Sequence, residues 1–172
     1  MRQAQGKLDQ ADPLLLEFAD SGRRLLLPDH RYQYLATGWL GELRLAQERF
    51  AEAEPLLRES LAGRQKVQPG HWETFRCKSL LGSALTGLAQ AKKPTDAAAA
   101  ERKLNEAEPL LLAAYEGLKV PPDQSMRPQR RERVMEALRR LVHLYTVWEK
   151  PDDVSKWRAA LNAKADMQTD PR

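Results

Sequence analysis

Apolar residues recur at helical spacing in a phrase that the chain writes three times: "KLDQADPLLLEF" from Lys7, "RFAEAEPLLRESL" from Arg49 and "KLNEAEPLLLAAY" from Lys103. Leu56, Leu57 and Leu61 form one apolar stripe, and Leu110, Leu111 and Leu118 repeat it. Between these phrases lie other amphipathic segments, "YLATGWLGELRLAQ", "KSLLGSALTGLAQ" and "ALRRLVHLYTVW". In the helix that contains the last, Val134, Leu138, Leu141, Val142, Tyr145 and Trp148 follow one face. A unit that must stack on copies of itself repeats in this way, so the pattern predicts an all-α array rather than a catalytic domain.

Aligned on the alanine before the acidic-Pro-Leu-Leu run, Ala11, Ala53 and Ala107 are 42 and 54 residues apart. "KPDDVSKWRAAL" supplies a degenerate fourth copy with Val154 at the same site. The preceding helices carry Gly41, Gly82 and Val142 at equivalent positions, 12, 25 and 12 residues before Ala53, Ala107 and Val154. The second unit therefore contains 13 extra residues around "KKPTDAAAAERK". Pro94 is expected to end one helix, Thr95 or Asp96 to cap the next, and the alanine run to extend that next helix backwards. The proline of each phrase is expected about one turn into its helix, where a missing N–H costs little. "LLPDHR", "QPGHW" and "KVPPDQSMRP" punctuate the units.

The predicted organisation is one array over 1–166: a half repeat at 7–27, repeats at 30–67, 71–119 (insertion near 92–104) and 128–165, and a disordered tail at 167–172. That makes about seven helices, or three and a half repeats. The first phrase lacks a preceding partner helix, so the segment is expected either to continue a longer array or to be covered by Leu25, Leu26 and Leu27.

Composition fits this reading: 42% hydrophobic, 30% charged and 6% aromatic over 172 residues. The net charge of +4 is local, since Arg127–Arg140 holds six Arg against two Glu. Glu132 and Glu136 interrupt that run and no aromatic residue interleaves it, so a solvated helix face is expected and nucleic acid is not an expected partner. Cys77 is the single cysteine, which excludes an internal disulfide. His30, His71 and His143 lack metal-ligand spacing; His30 and His71 recur at helix starts and read as structural. No hydrophobic run reaches membrane-spanning length. Paired acids such as Glu52 and Glu54 or Asp152 and Asp153 sit where helix N-termini favour negative charge. Neither Ser79 nor Ser83 lies in a nucleophile elbow. No enzyme, cofactor or metal is expected, and a cytoplasmic monomer or weak end-to-end dimer is.

The helix pair with small residues at Gly41 and Ala53 and apolar ones at Leu40 and Leu57 resembles a tetratricopeptide repeat. The 42-residue step with "RFAEAEPLL" resembles the kinesin-light-chain variant. "HWETFRCKSLLGSAL" and "EAEPLLLAAYEGLK" also resemble the C-terminal repeat array of some bacterial serine/threonine protein kinases, although no kinase motif is present. The paired Asn residues of the kinesin-light-chain pattern are replaced by Gly38 and Trp39, Ser79 and Leu80, and Arg139 and Arg140.

The resemblance implies that the first helices line a concave groove binding a peptide or partner helix. Its candidate contacts are Leu35, Gly38 and Glu42; Arg76, Ser79, Ser83 and Thr86; and Glu136, Arg139 and His143. Arg76 and Arg139 are the candidate partners for an acidic group, Ser79 and Ser83 for a peptide backbone. Trp39, Trp148 and Trp157 are read as packing residues. The alternative is a structural spacer or regulatory tail of a multidomain kinase-like protein, with no ligand of its own.

Overall fold

The computed structural model describes residues 31–119 and 127–166, with helical fragments at 13–14, 16–17 and 20–21. Most of the 7–27 half repeat, His30 and the 167–172 tail lie outside the described residues. Among the described residues six full helices run in order: α1 (Arg31–Ala46), α2 (Phe50–Val67), α3 (Trp72–Lys92), α4 (Ala97–Lys119), α5 (Arg127–Val147) and α6 (Pro151–Asp166). Consecutive helices pair into three hairpins, and α2 packs on α3 as α4 does on α5. The architecture is the all-α hairpin array that the periodicity predicts.

One asymmetry sets its shape. The first helices touch along the array, α1 on α3 and α3 on α5, whereas among the described helices the backbones of α2 and α4, and of α4 and α6, stand apart and meet only through side chains. The face of α1, α3 and α5 is therefore the inner one, and the second helices fan apart outside. Where α2 and α4 diverge, long side chains bridge the gap: Arg58 to Glu106 at 2.6 Å and Lys103 to Glu54 at 2.6 Å. Burial works to raise the Glu54 pKa, but hydrogen bonds and charge from Lys103 and Arg58 outweigh it and hold the carboxyl below its ordinary value.

Packing within each hairpin uses the repeated small residues. A Cβ on Gly41 would lie 2.8 Å from Leu57 Cγ, and one on Gly82 would lie 2.6 Å from Leu111 Cγ. Leu57, Leu111, Leu138, Leu141 and Leu144 are fully buried and continue one core through the array. Trp157 is buried edge-on against Tyr115 at 5.3 Å.

The hairpin turns of the outer units are built alike. Glu48 and Glu149 take left-handed backbone conformations, with φ of 59° and 60°. In each turn one N–H reaches back five residues, Arg49 to Arg44 at 2.8 Å and Lys150 to Tyr145 at 3.0 Å. Glu48 N donates to Leu45 O and Glu149 N to Thr146 O, completing the helix-terminating pattern usually occupied by glycine.

The insertion departs from expectation in one respect. Asp96 Oδ1 accepts from Ala99 N at 2.8 Å and caps α4, as expected. The extra length, however, is shared between both helices of the hairpin. Helix α1 ends at Ala46, five residues past Gly41, and α3 at Lys92, ten past Gly82; α2 starts three residues before Ala53, and α4 ten before Ala107. A hairpin whose helices must still meet at a short turn can lengthen only by extending both. The extension also moves the phrase's proline: Pro55 is the sixth residue of α2, but Pro109 is the thirteenth of α4. Neither stands one turn in, and Pro109 removes a ladder hydrogen bond from a helix interior.

Candidate functional site

The inner face begins at the junction of the first two units. Helix α3 opens on His71, whose Nδ1 accepts from Glu73 N at 3.4 Å, so this histidine is a helix cap. Glu73 accepts from the buried Arg64 at 2.7 Å, tying the end of α2 to the start of α3. Arg64 Nε also donates to Ser60 Oγ at 3.3 Å, and Ser60 donates to the Tyr34 carbonyl at 2.6 Å. This buried polar chain holds α1, α2 and α3 in one register.

Beside it, Glu42 of α1 and Arg76 of α3 form an ion pair across the inner face, so two sequence-selected residues meet each other. Both are half-buried. Arg76 is thus already held by a carboxylate of its own chain, and an incoming acid would have to displace Glu42.

Ser79 and Thr86 differ from expectation, since each is buried, at 0% and 2% exposure. Thr86 Oγ1 donates to the Gly82 carbonyl at 2.8 Å within its own helix. Ser79 Oγ accepts from Arg140 Nη1 at 2.9 Å, joining α3 to α5. The reason is position: α3 is packed by α1, α2, α4 and α5, so its buried arc is wider than that of a helix with fewer neighbours. Ser83 is half-buried on the same helix.

Arg140 carries no sequence signal of its own, because it sits in a run of arginines. Its guanidinium lies inside the α3–α5 junction, with the Glu136 carboxylate 3.8 Å away. Burial pushes its pKa down, and Arg76 adds to that, against the opposing pull of Glu136 and Glu42. Arg133 stacks over the Trp72 ring at 3.5 Å, a second basic side chain of that run placed in a specific contact. The expectation of a solvated arginine face holds for Arg139, which is exposed and paired with Glu132 at 3.1 Å, and fails for Arg140.

His143 is exposed on α5, yet its surroundings desolvate the ring enough to push its pKa below the ordinary histidine value. Trp39, read from sequence as core, is 41% exposed beside Gly38, Arg76 and Leu80. Gly38 is itself buried, a Cβ there falling 2.7 Å from Ser60 Oγ. The first-helix side chains that keep accessible surface here are therefore Leu35, Trp39, the Glu42–Arg76 pair, Ser83, Glu136, Arg139 and His143. Cys77 lies beneath them, buried, and that burial pushes its thiol pKa up, away from the reactive thiolate.

Among the described residues no group of His, Cys, Asp or Glu is arranged to hold a metal ion. No helix among them is long and apolar enough to cross a membrane.

No protein-family model matches the chain. No curated protein matches it either. Among solved structures it is similar to a Podosopora anserina kinesin light chain of nearly identical TPR-like repeats, at 16% identity and a TM-score of 0.45, over 98% of this chain and 92% of that one.

Proposed function

We propose that this chain is a protein-interaction module whose inner face receives an extended peptide or a partner helix. The observation that supports this reading is the exposure of Trp39 on α1 and of Arg139 and His143 on α5, with the Glu42–Arg76 pair between α1 and α3, so that each first helix offers aromatic or polar surface. An exposed tryptophan with arginine beside it is the composition of a binding hot spot. In this reading Trp39 takes an apolar side chain of the ligand. Arg139 takes an acidic group by exchanging its partner Glu132, and Ser83 accepts or donates to the ligand backbone.

The resemblance to kinase-linked repeat arrays extends the proposal: the module belongs to, or derives from, a larger cytoplasmic signalling protein. A second reading, a spacer or regulatory tail without a ligand, is favoured by the ion pairs that already satisfy Arg76 and Arg139 within the chain.

The deciding experiment is selection of binders from a random peptide library, followed by affinity measurement on Trp39→Ala, Arg139→Glu and His143→Ala. Arg76→Glu is not a clean test of binding, because it would set two carboxylates against each other and perturb folding. A tenfold or greater loss with an unchanged melting temperature supports the module. Failure to select any peptide that competes for this face, or binders indifferent to all three changes, leaves the spacer reading standing.

A further inference from the structure

The 13 inserted residues do more than lengthen a hairpin. The tip formed by the end of α3 and the start of α4 projects past the turns of both neighbouring units, by roughly 8–10 Å for five to seven residues at 1.5 Å each. It makes specific contacts with the third unit. Toward the third unit, Lys93 Nζ donates to the Val147 carbonyl at 3.0 Å, at the C-terminal end of α5, and pairs with Glu149 at 2.7 Å. A cation is favoured at that end of a helix. Trp148 Nε1 donates to both carboxylate oxygens of Glu101, at 3.1 and 3.0 Å, and its ring stacks on Tyr145. Toward the first unit the contacts come from ordinary repeat positions: Lys103, which opens the repeat phrase, pairs with Glu54, and Phe50 lies against Gly87 so closely that a Cβ there would come within 2.6 Å of its ring.

Each junction between first helices also has an anchor nearer mid-helix, Glu42 with Arg76 and Ser79 with Arg140. The α3–α5 junction is fastened again in the first half of both helices, where Arg133 stacks over Trp72. Val147 lies seven residues beyond Arg140, about 10 Å along α5. A fastening at that distance opposes splaying of the two helices at their turn ends.

We propose that the inserted hairpin tip is a brace that locks the third unit to the central one and fixes the curvature of the inner face there. A locked face is preorganised, so a ligand does not bear the cost of ordering it. That consequence rests on the interaction-module reading, but the brace itself does not, and the test requires no ligand.

In a Cys77→Ala background, spin labels on Ala62→Cys of α2 and Ala159→Cys of α6, both exposed positions, report the distance across both junctions. Wild type is expected to give one narrow distance distribution. Lys93→Ala with Glu101→Ala is expected to widen it at least twofold at unchanged helix content. Lys92→Ala with Arg102→Ala, exposed neighbours in the same segment, should leave it narrow. Trp148→Phe keeps an aromatic ring, smaller than the indole, and removes the donor, and should widen it part-way. A distribution in the double variant as narrow as wild type, or equal broadening in the control pair, overturns the brace. Should the double variant fail to fold, Trp148→Phe decides alone, an unchanged width being the refuting result.

Discussion

Pro109→Ala tests whether the brace was acquired at a cost to α4. Proline in a helix interior is about 3 kcal/mol less favourable than alanine, from the lost N–H and the clash of its ring with the carbonyl four residues back. Here that carbonyl belongs to Asn105, well inside a helix that continues to Lys119. Pro109 is exposed, so alanine sacrifices little burial. Against the gain stands the stiffening that proline gives the unfolded chain, about 0.4–1 kcal/mol. The net expectation is stabilisation on the order of 2 kcal/mol, or roughly 4–8 °C at the 2–4 °C per kcal/mol usual for chains of this size. Thermal and urea unfolding followed by circular dichroism should agree in sign, which guards against the non-two-state behaviour of repeat arrays. Pro55→Ala, nearer the start of its helix, should gain less. A melting temperature unchanged or lowered by Pro109→Ala would refute the argument and show that the ring itself stabilises the divide between α2 and α4.

Two further outcomes follow from local geometry. Glu48→Gly should stabilise the first hairpin by about 0.5–1 kcal/mol, since the left-handed conformation costs a non-glycine residue roughly 1–2 kcal/mol, partly offset by glycine's greater unfolded freedom; a higher urea midpoint checks it. His143, whose folded pKa is depressed by burial, binds more protons unfolded than folded, so its contribution is present above about pH 6.5 and is lost as pH falls through the folded value. His143→Gln should therefore flatten the stability profile between pH 7 and 5, modestly because the residue is exposed, and identical profiles would remove His143 as the cause.

The sequence alone determined the repeating unit. Helical spacing marked both helices of each hairpin, and the phrase around Ala53 and Ala107, with Gly41 and Gly82 before them, marked where they cross closely. Local chemistry placed the Asp96 cap and the structural role of His71, because capping depends on residues only two or three positions away. Only the tertiary structure decided which polar residues are available. The spacing of α3 cannot reveal that four helices surround it, yet that surround buries Ser79 and Thr86 and draws Arg140 inward while leaving Arg139 outside. Trp39 reads as core by residue type and is exposed because the inner face bears no further layer of described residues over it. The extra length announced itself as 13 surplus residues, but its division between α3 and α4 follows from closing the hairpin, a condition that acts in space rather than along the chain.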